Sequence, residues 1–207
     1  RVTENCWPTS SGAGAVSRPM PMRRRRTRAS RGGGVARARV EGPRGRHGGI
    51  DTVPLPSTNG GLSLCGKHAI GPDHLAAMAE CGATTVVCLV EAYELADRYP
   101  AYLAWLQAHA GTTAVWFPIH DLHAPGVEAT EPFIAELVRR LDDGEHLLMH
   151  CAAGIGRTGT MAVCPLMELG MAPPAAQALV ATHRPMAGPE VGAQIDLVTA
   201  WAARGSA

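Results

Sequence analysis

Cys151 and Arg157 stand six positions apart, joined by Ala152-Ala153-Gly154-Ile155-Gly156 and followed by Thr158. A thiol and a guanidinium closing a glycine-bearing loop suit covalent attack on phosphorus. Such attack needs a thiolate at neutral pH, whereas a free cysteine ionises near about 8.5. A loop whose amides converge at a helix N-terminus favours negative charge on the sulfur, and it accepts phosphate for the same reason. Nucleophile and substrate therefore share one electrostatic device. The backbone from Ala152 to Arg157 is the expected phosphate cradle, and its glycines let successive N–H groups turn inward. The planar fork of Arg157 suits two phosphoryl oxygens at once, which an ammonium group does less well. The Thr158 hydroxyl is expected to hydrogen-bond the sulfur and ease its departure from phosphorus.

A loop of this kind works only between rigid elements. His146 to His150 (HLLMH) reads as a short strand that delivers the chain into Cys151, and helical patterns follow at about 157–169, 174–183 and 189–203. Upstream, Leu62 to Cys65 reads as a short edge strand. Gly71-Pro72-Asp73 opens a helix to about Cys81, with Asp73 near its cap. Thr84 to Val90 (TTVVCLV) is β-branched and continuously apolar, a buried strand. Tyr99 to Ala110 reads as helix and Thr113 to Ile119 as the next strand. Thr130 is expected to cap a helix to about Leu141, with Glu131 and Pro132 in its first turn. Pro165, about two turns into the helix after the loop, is expected to remove a hydrogen bond and kink it. Strands alternating with helices specify an α/β domain with a central, mostly parallel sheet flanked by helices and the loop at the strand's C-terminal end.

The C-x5-R arrangement CAAGIGRT resembles the signature loop of the protein tyrosine phosphatase superfamily. The wider HCAAGIGRTGTM is similar to the atypical dual-specificity phosphatases, over roughly residues 60–203. Expulsion of an alkoxide or phenoxide needs a proton donor over the pocket. The resemblance implies that Asp121, in FPIHDLHAP, is that acid, with Ile119 and Pro125 matching the family's I-x-D-x-x-x-P acid loop. It implies that Arg184, in His183-Arg184-Pro185, braces the signature loop and that Gln194 orients the hydrolytic water. Glu91, in LVEAYEL, resembles an acidic loop residue that contacts the signature arginine in relatives. Cys88 occupies a strand where some relatives carry a cysteine that forms a reversible disulfide with the nucleophile; the other reading is a small buried hydrophobe. No cofactor or metal is called for. The pairs His120/His123 and His146/His150 lack the clustered Cys or carboxylate partners of a metal site.

Charge divides the chain sharply. Residues 1–50 carry twelve Arg against two Glu, whereas residues 51–207 carry six Arg and one Lys against sixteen acidic residues, a net −9. The Arg/Gly/Pro-rich segment 1–55 is expected to be a disordered tail, because it lacks the apolar surface to offset ordering entropy. Its run Met22 to Arg28 suits contact with nucleic acid or an anionic surface. Residues 56–207 are expected to form the phosphatase domain. Six cysteines without framework spacing indicate a reducing compartment, and no apolar run suits a membrane span or secretory signal, so a cytoplasmic location is expected. The expected substrate is a phosphorylated protein or peptide, because the absence of Lys and Arg from 152–156 disfavours polyphosphoinositides. The alternatives are a catalytically silent phosphoresidue-binding module, against which intact Cys151, Arg157 and Asp121 argue, a tail-driven nucleic-acid binder, and an arsenate reductase, whose loop usually comes early.

Overall fold

The computed structural model describes residues 48–204. One sheet contains β1 (Ile50–Val53), β2 (Gly61–Gly66), β3 (Thr85–Cys88), β4 (Ala114–Trp116) and β5 (His146–Cys151), in the order β1-β2-β5-β3-β4. β1 is antiparallel to β2, and the other neighbours are parallel. The helices among the described residues are α1 (Lys67–Ile70), α2 (His74–Cys81), α3 (Tyr93–Ala96), α4 (Pro100–His109), α5 (Val127–Asp142), α6 (Gly156–Glu168), α7 (Pro173–His183) and α8 (Gly192–Arg204). This is the expected mostly parallel α/β architecture.

The centre of the fold is the part that carries Cys151. β5 lies between β2 and β3, and Leu147, Leu148 and Met149 are fully buried. A parallel strand covered on both faces must be apolar without alternation, as HLLMH is. α6 follows directly, packed against α5, α7, α8 and β5, and every residue from Gly156 to Leu166 is buried. This surrounding contact holds α6 through Pro165 to Glu168, so the proline interrupts one hydrogen bond without ending the helix. At α2, Asp73 accepts the Ala76 N–H at 2.9 Å, the expected cap.

Three local expectations are corrected. β2 is interior, because Ile50–Val53 pairs along its outer side in the register Ile50↔Cys65 to Val53↔Leu62. That strand lies inside the segment read as tail, where alternation over four residues between Gly and Pro is too short a signal to separate from coil. Residues 1–47, with the arginine run, lie outside the described residues. α5 begins at Val127, a turn before Thr130, whose hydroxyl donates back to Gly126 O at 2.9 Å from inside the helix. Thr130 thus uses the helix-interior bonding mode of threonine in place of a cap. No described helix is long and apolar enough to cross a membrane.

Candidate active site

Cys151, 3% exposed, ends β5, and its Sγ accepts the Gly154 N–H at 3.2 Å. The carbonyls of the loop are turned outward and taken up by its surroundings. Ala152 O accepts Lys67 N–H at 3.0 Å, Ala153 O accepts Arg184 Nη2 at 2.8 Å, and Gly154 O accepts Arg184 Nε. Ile155 O accepts Gly159 N–H at 2.7 Å. With these carbonyls held by the surroundings, the Gly154 amide points at the sulfur, a dipole that favours negative charge there. Gly154 has φ +75°, and a Cβ there would strike the Cys65 carbonyl and the Arg184 guanidinium, so the loop closes only with glycine at this position.

Arg157 lies buried at 2% exposure. Nη1 donates to Glu94 Oε1 at 2.7 Å and Ile119 O at 2.8 Å, and Nη2 donates to Glu94 Oε2 at 3.0 Å. Asp121 Oδ1 stands 3.0 Å from Nη2, with 61% of the Asp121 side chain exposed. The buried Nε–H of Arg157 has no partner among the described residues. A buried cationic donor is rarely left unused, and here it lies in the side chain that closes the cradle, ready for an anionic oxygen. Burial alone would depress the Arg157 pKa, yet the Glu94 carboxylate, Cys151 and Asp121 raise it. Burial conversely raises the Glu94 carboxyl, but the bonds from Arg157 outweigh it and hold Glu94 below its usual value.

His150, completely buried, is pushed down to about 4 by desolvation and stays neutral at physiological pH. Its Nε2 is 2.6 Å from Tyr102 Oη and its Nδ1 is 3.4 Å from Cys151 O. The tautomer assigned by this network accepts from tyrosine at Nε2 and donates from Nδ1 to the carbonyl. The side chain therefore anchors the strand end and supplies no cation to the sulfur.

Arg184 Nη1 also binds Asp51 Oδ2 at 2.7 Å. Gln194, 1% exposed, accepts Glu190 N–H at 2.8 Å and donates to His123 O at 3.4 Å, which ties α8 to the acid loop. Its amide oxygen and the Glu190 carboxylate would meet a Cβ added at Gly156. The expectation for Glu91 is corrected: Glu94, three residues on, faces Arg157, and Glu91 pairs with His120 Nδ1 at 2.9 Å. The turn closed by Glu94 N–H to Glu91 O at 3.0 Å places the later carboxylate inward. The pattern E-x-x-E ahead of a short helix resembles a cap, which hid Glu94 in the sequence. The Thr158 hydroxyl does not reach the sulfur. It is buried in the first turn of α6 without a hydrogen-bond partner, while the sulfur rests on the Gly154 amide. Cys88 carries a free thiol, raised to about 12 by burial, and pairs in register with His150 rather than Cys151. Asp51, Glu94 and Lys67, which donates to Glu94 O at 3.0 Å, join the site without a sequence signal. No cluster able to hold a metal occurs among the described residues.

Residues 63–196 match the family model described as Swiss Army Knife protein, DSP-PTPase phosphatase domain. This chain belongs to that phosphatase family. The DSP-PTPase domain spans the first central strand to the helix carrying Gln194, so the cradle, the acid loop and the bracing arginine all fall inside it. Among solved structures, Tk-PTP in a mutant form is 27% identical with a TM-score of 0.60, covering 75% of this chain and 97% of that one. Kinase associated phosphatase, at 22% identity and TM-score 0.62, covers 76% and 96%. Human DUSP28, at 19% and 0.55, covers 76% and 96%, and these two show likeness of fold. The DSP-PTPase assignment makes the chain a cysteine-dependent protein phosphatase of the dual-specificity type.

Proposed function

We propose that this phosphatase domain hydrolyses phosphotyrosine, and phosphoserine and phosphothreonine as further substrates, through a phosphocysteine intermediate. The observation that carries the reading is the buried, unpartnered Arg157 Nε–H at the end of a loop whose first residue, Cys151, accepts the Gly154 amide on its sulfur. The Cys151 thiolate attacks phosphorus as the P–O bond to the substrate oxygen breaks, and Asp121 gives its proton to that oxygen. Arg157 and the amides of 152–157 hold the non-bridging oxygens. Water then attacks phosphorus, its proton passes to the Asp121 carboxylate, and the P–S bond breaks to return the thiolate. Gln194 orients that water and Arg184 keeps the loop closed. The apolar composition of positions 152–156 favours a phosphoresidue over a polyphosphorylated ring. Free thiols at all five described cysteines fit a reducing compartment, and we place the protein in the cytoplasm.

The test is hydrolysis of p-nitrophenyl phosphate and a phosphotyrosyl peptide by wild type, Cys151→Ser and Arg157→Ala. Turnover falls by roughly 10³-fold or more in both variants. Cys151→Ser still captures the phosphopeptide. Wild type that binds the peptide without releasing phosphate would reassign the cradle to a silent binding module.

A further inference from the structure

Apolar side chains are left in solvent on several segments that meet the signature loop. Five large hydrophobic residues are exposed among the described residues, and four of them, Tyr93 (62%), Leu122 (55%), Met186 (77%) and Ile195 (50%), lie on segments that meet the signature loop. Tyr93 precedes Glu94, whose carboxylate holds Arg157 at 2.7 Å. Leu122 follows Asp121, 3.0 Å from Arg157. Ile195 follows Gln194, which reaches both Gly156 and the acid-loop carbonyl of His123. Met186 precedes Ala187 and Gly188, which abut Gly159, and Gly188 N–H meets Ile155 O at 3.4 Å.

Two of these residues are also held in an unfavourable backbone conformation. Leu122 has φ +60° and Met186 φ +71°, a region that side chains bearing a Cβ avoid and that persists only where the surroundings impose it. Strain of this kind concentrates at binding loops, and here it coincides with exposure of the side chain that folding would otherwise bury. The charge around the opening points the same way. The Glu190 carboxylate, against Gly156, adds local negative charge to a segment, 51–207, whose net charge is −9. Acidic residues flanking a phosphoester would be repelled there, and apolar ones would find partners.

Resting on the phosphoresidue reading above, we propose that Tyr93, Leu122, Met186 and Ile195 form a docking rim for apolar side chains flanking the phosphorylated residue. The preferred substrate is then a phosphopeptide of apolar, non-acidic context. The phosphate in the cradle fixes the ester, and the rim selects what lies beside it.

The experiment compares two phosphotyrosyl peptides of equal length, one with Leu, Val and Met on both sides of the phosphotyrosine and one with Glu and Asp. Binding to Cys151→Ser by calorimetry reads the rim without turnover, and phosphate release from p-nitrophenyl phosphate by the otherwise wild-type chain reads the catalytic proposal separately. The apolar peptide binds about tenfold more tightly, the scale of one well-buried aliphatic side chain. Introducing Leu122→Ser and Met186→Ser together into the Cys151→Ser background brings the ratio of the two affinities toward one, and Leu122→Met with Met186→Leu restores it. Exposed positions tolerate these changes, so the serine pair folds, which circular dichroism checks. Equal affinities in the parent, preference for the acidic peptide, or a ratio unmoved by the serine pair would overturn the rim. So would binding to phosphatidylcholine vesicles containing a phosphatidylinositol monophosphate that exceeds binding to the apolar peptide and is lost in the serine pair, which would assign the rim to a bilayer.

Discussion

Arg184 and Asp51, 133 positions apart in the chain, form a buried ion pair with 2.7 Å between Nη1 and Oδ2. The same guanidinium holds the Ala153 and Gly154 carbonyls outward. β1 is thereby connected through one side chain to the shape of the phosphate cradle.

Asp51→Ala leaves the guanidinium buried without its carboxylate, which costs about 3 kcal/mol. Asp51→Asn keeps a polar partner and costs less. Thermal unfolding measures the first effect, and inorganic phosphate binding measures the second: both variants bind phosphate more weakly than wild type, because the carbonyls of Ala153 and Gly154 are free to turn inward. Destabilisation with unchanged phosphate affinity would confine the pair to folding.

Asp121→Asn removes the proton donor while keeping the side chain's size. Hydrolysis of aryl phosphates with good leaving groups falls little, and hydrolysis of those with poor leaving groups falls by about 10²-fold or more, within the usual range for general acids. A series of substituted phenyl phosphates measures this as a steeper dependence of kcat/KM on leaving-group pKa. An equal loss across the series would remove Asp121 as the acid.

Glu94→Gln releases the carboxylate anchor of Arg157. Misplacement of a guanidinium by an ångström is worth on the order of 10²-fold in kcat/KM, and the loss appears with every substrate alike. Glu94 is held below its ordinary value of 4.5 in the folded protein. Its contribution to stability is therefore complete above about pH 4.5 and is lost as pH falls through the lower folded value, because the unfolded chain takes up the proton first. Unfolding titrations below pH 4.5 show a shallower acid limb in the variant.

His150 gives a second and separate window. Its folded pKa of about 4 lies below the ordinary 6.5, so stability is present above pH 6.5 and declines as pH falls from 6.5 to 4, by roughly 3 kcal/mol in all. Tyr102, Cys65 and Cys88 surround the ring and are uncharged throughout that range, since burial raises the pKa of each. His150→Gln flattens the stability profile between pH 4 and 6.5, whatever its effect at neutral pH. A profile unchanged in that window would show that the imidazole is already protonated in the folded state.

Local runs were enough to read the central strand, the loop and the helix after it, because a strand buried on both faces must be apolar throughout and a tight anion-binding turn must be glycine-rich. HLLMH and CAAGIGRT carry those requirements within thirteen consecutive residues, from His146 to Thr158. The family assignment follows from the same stretch. The likeness of FPIHDLHAP to the family's acid loop singled out Asp121, and the structure sets its Oδ1 3.0 Å from Arg157 Nη2.

Tertiary structure alone decided the partners of the buried Arg157 and Arg184. Whether Glu91 or Glu94 faces Arg157 depends on the direction of one turn, and both sequence positions offer the same carboxylate. Asp51 reaches Arg184 only because an outer strand pairs antiparallel beside β2, a long-range choice that four residues between loops do not announce. The apolar rim is likewise invisible in one dimension, since Tyr93, Leu122, Met186 and Ile195 belong to four separate segments. Short-range chemistry is written in neighbouring residues, whereas a charge buried in the fold takes its partner from whichever element the packing brings within hydrogen-bond distance.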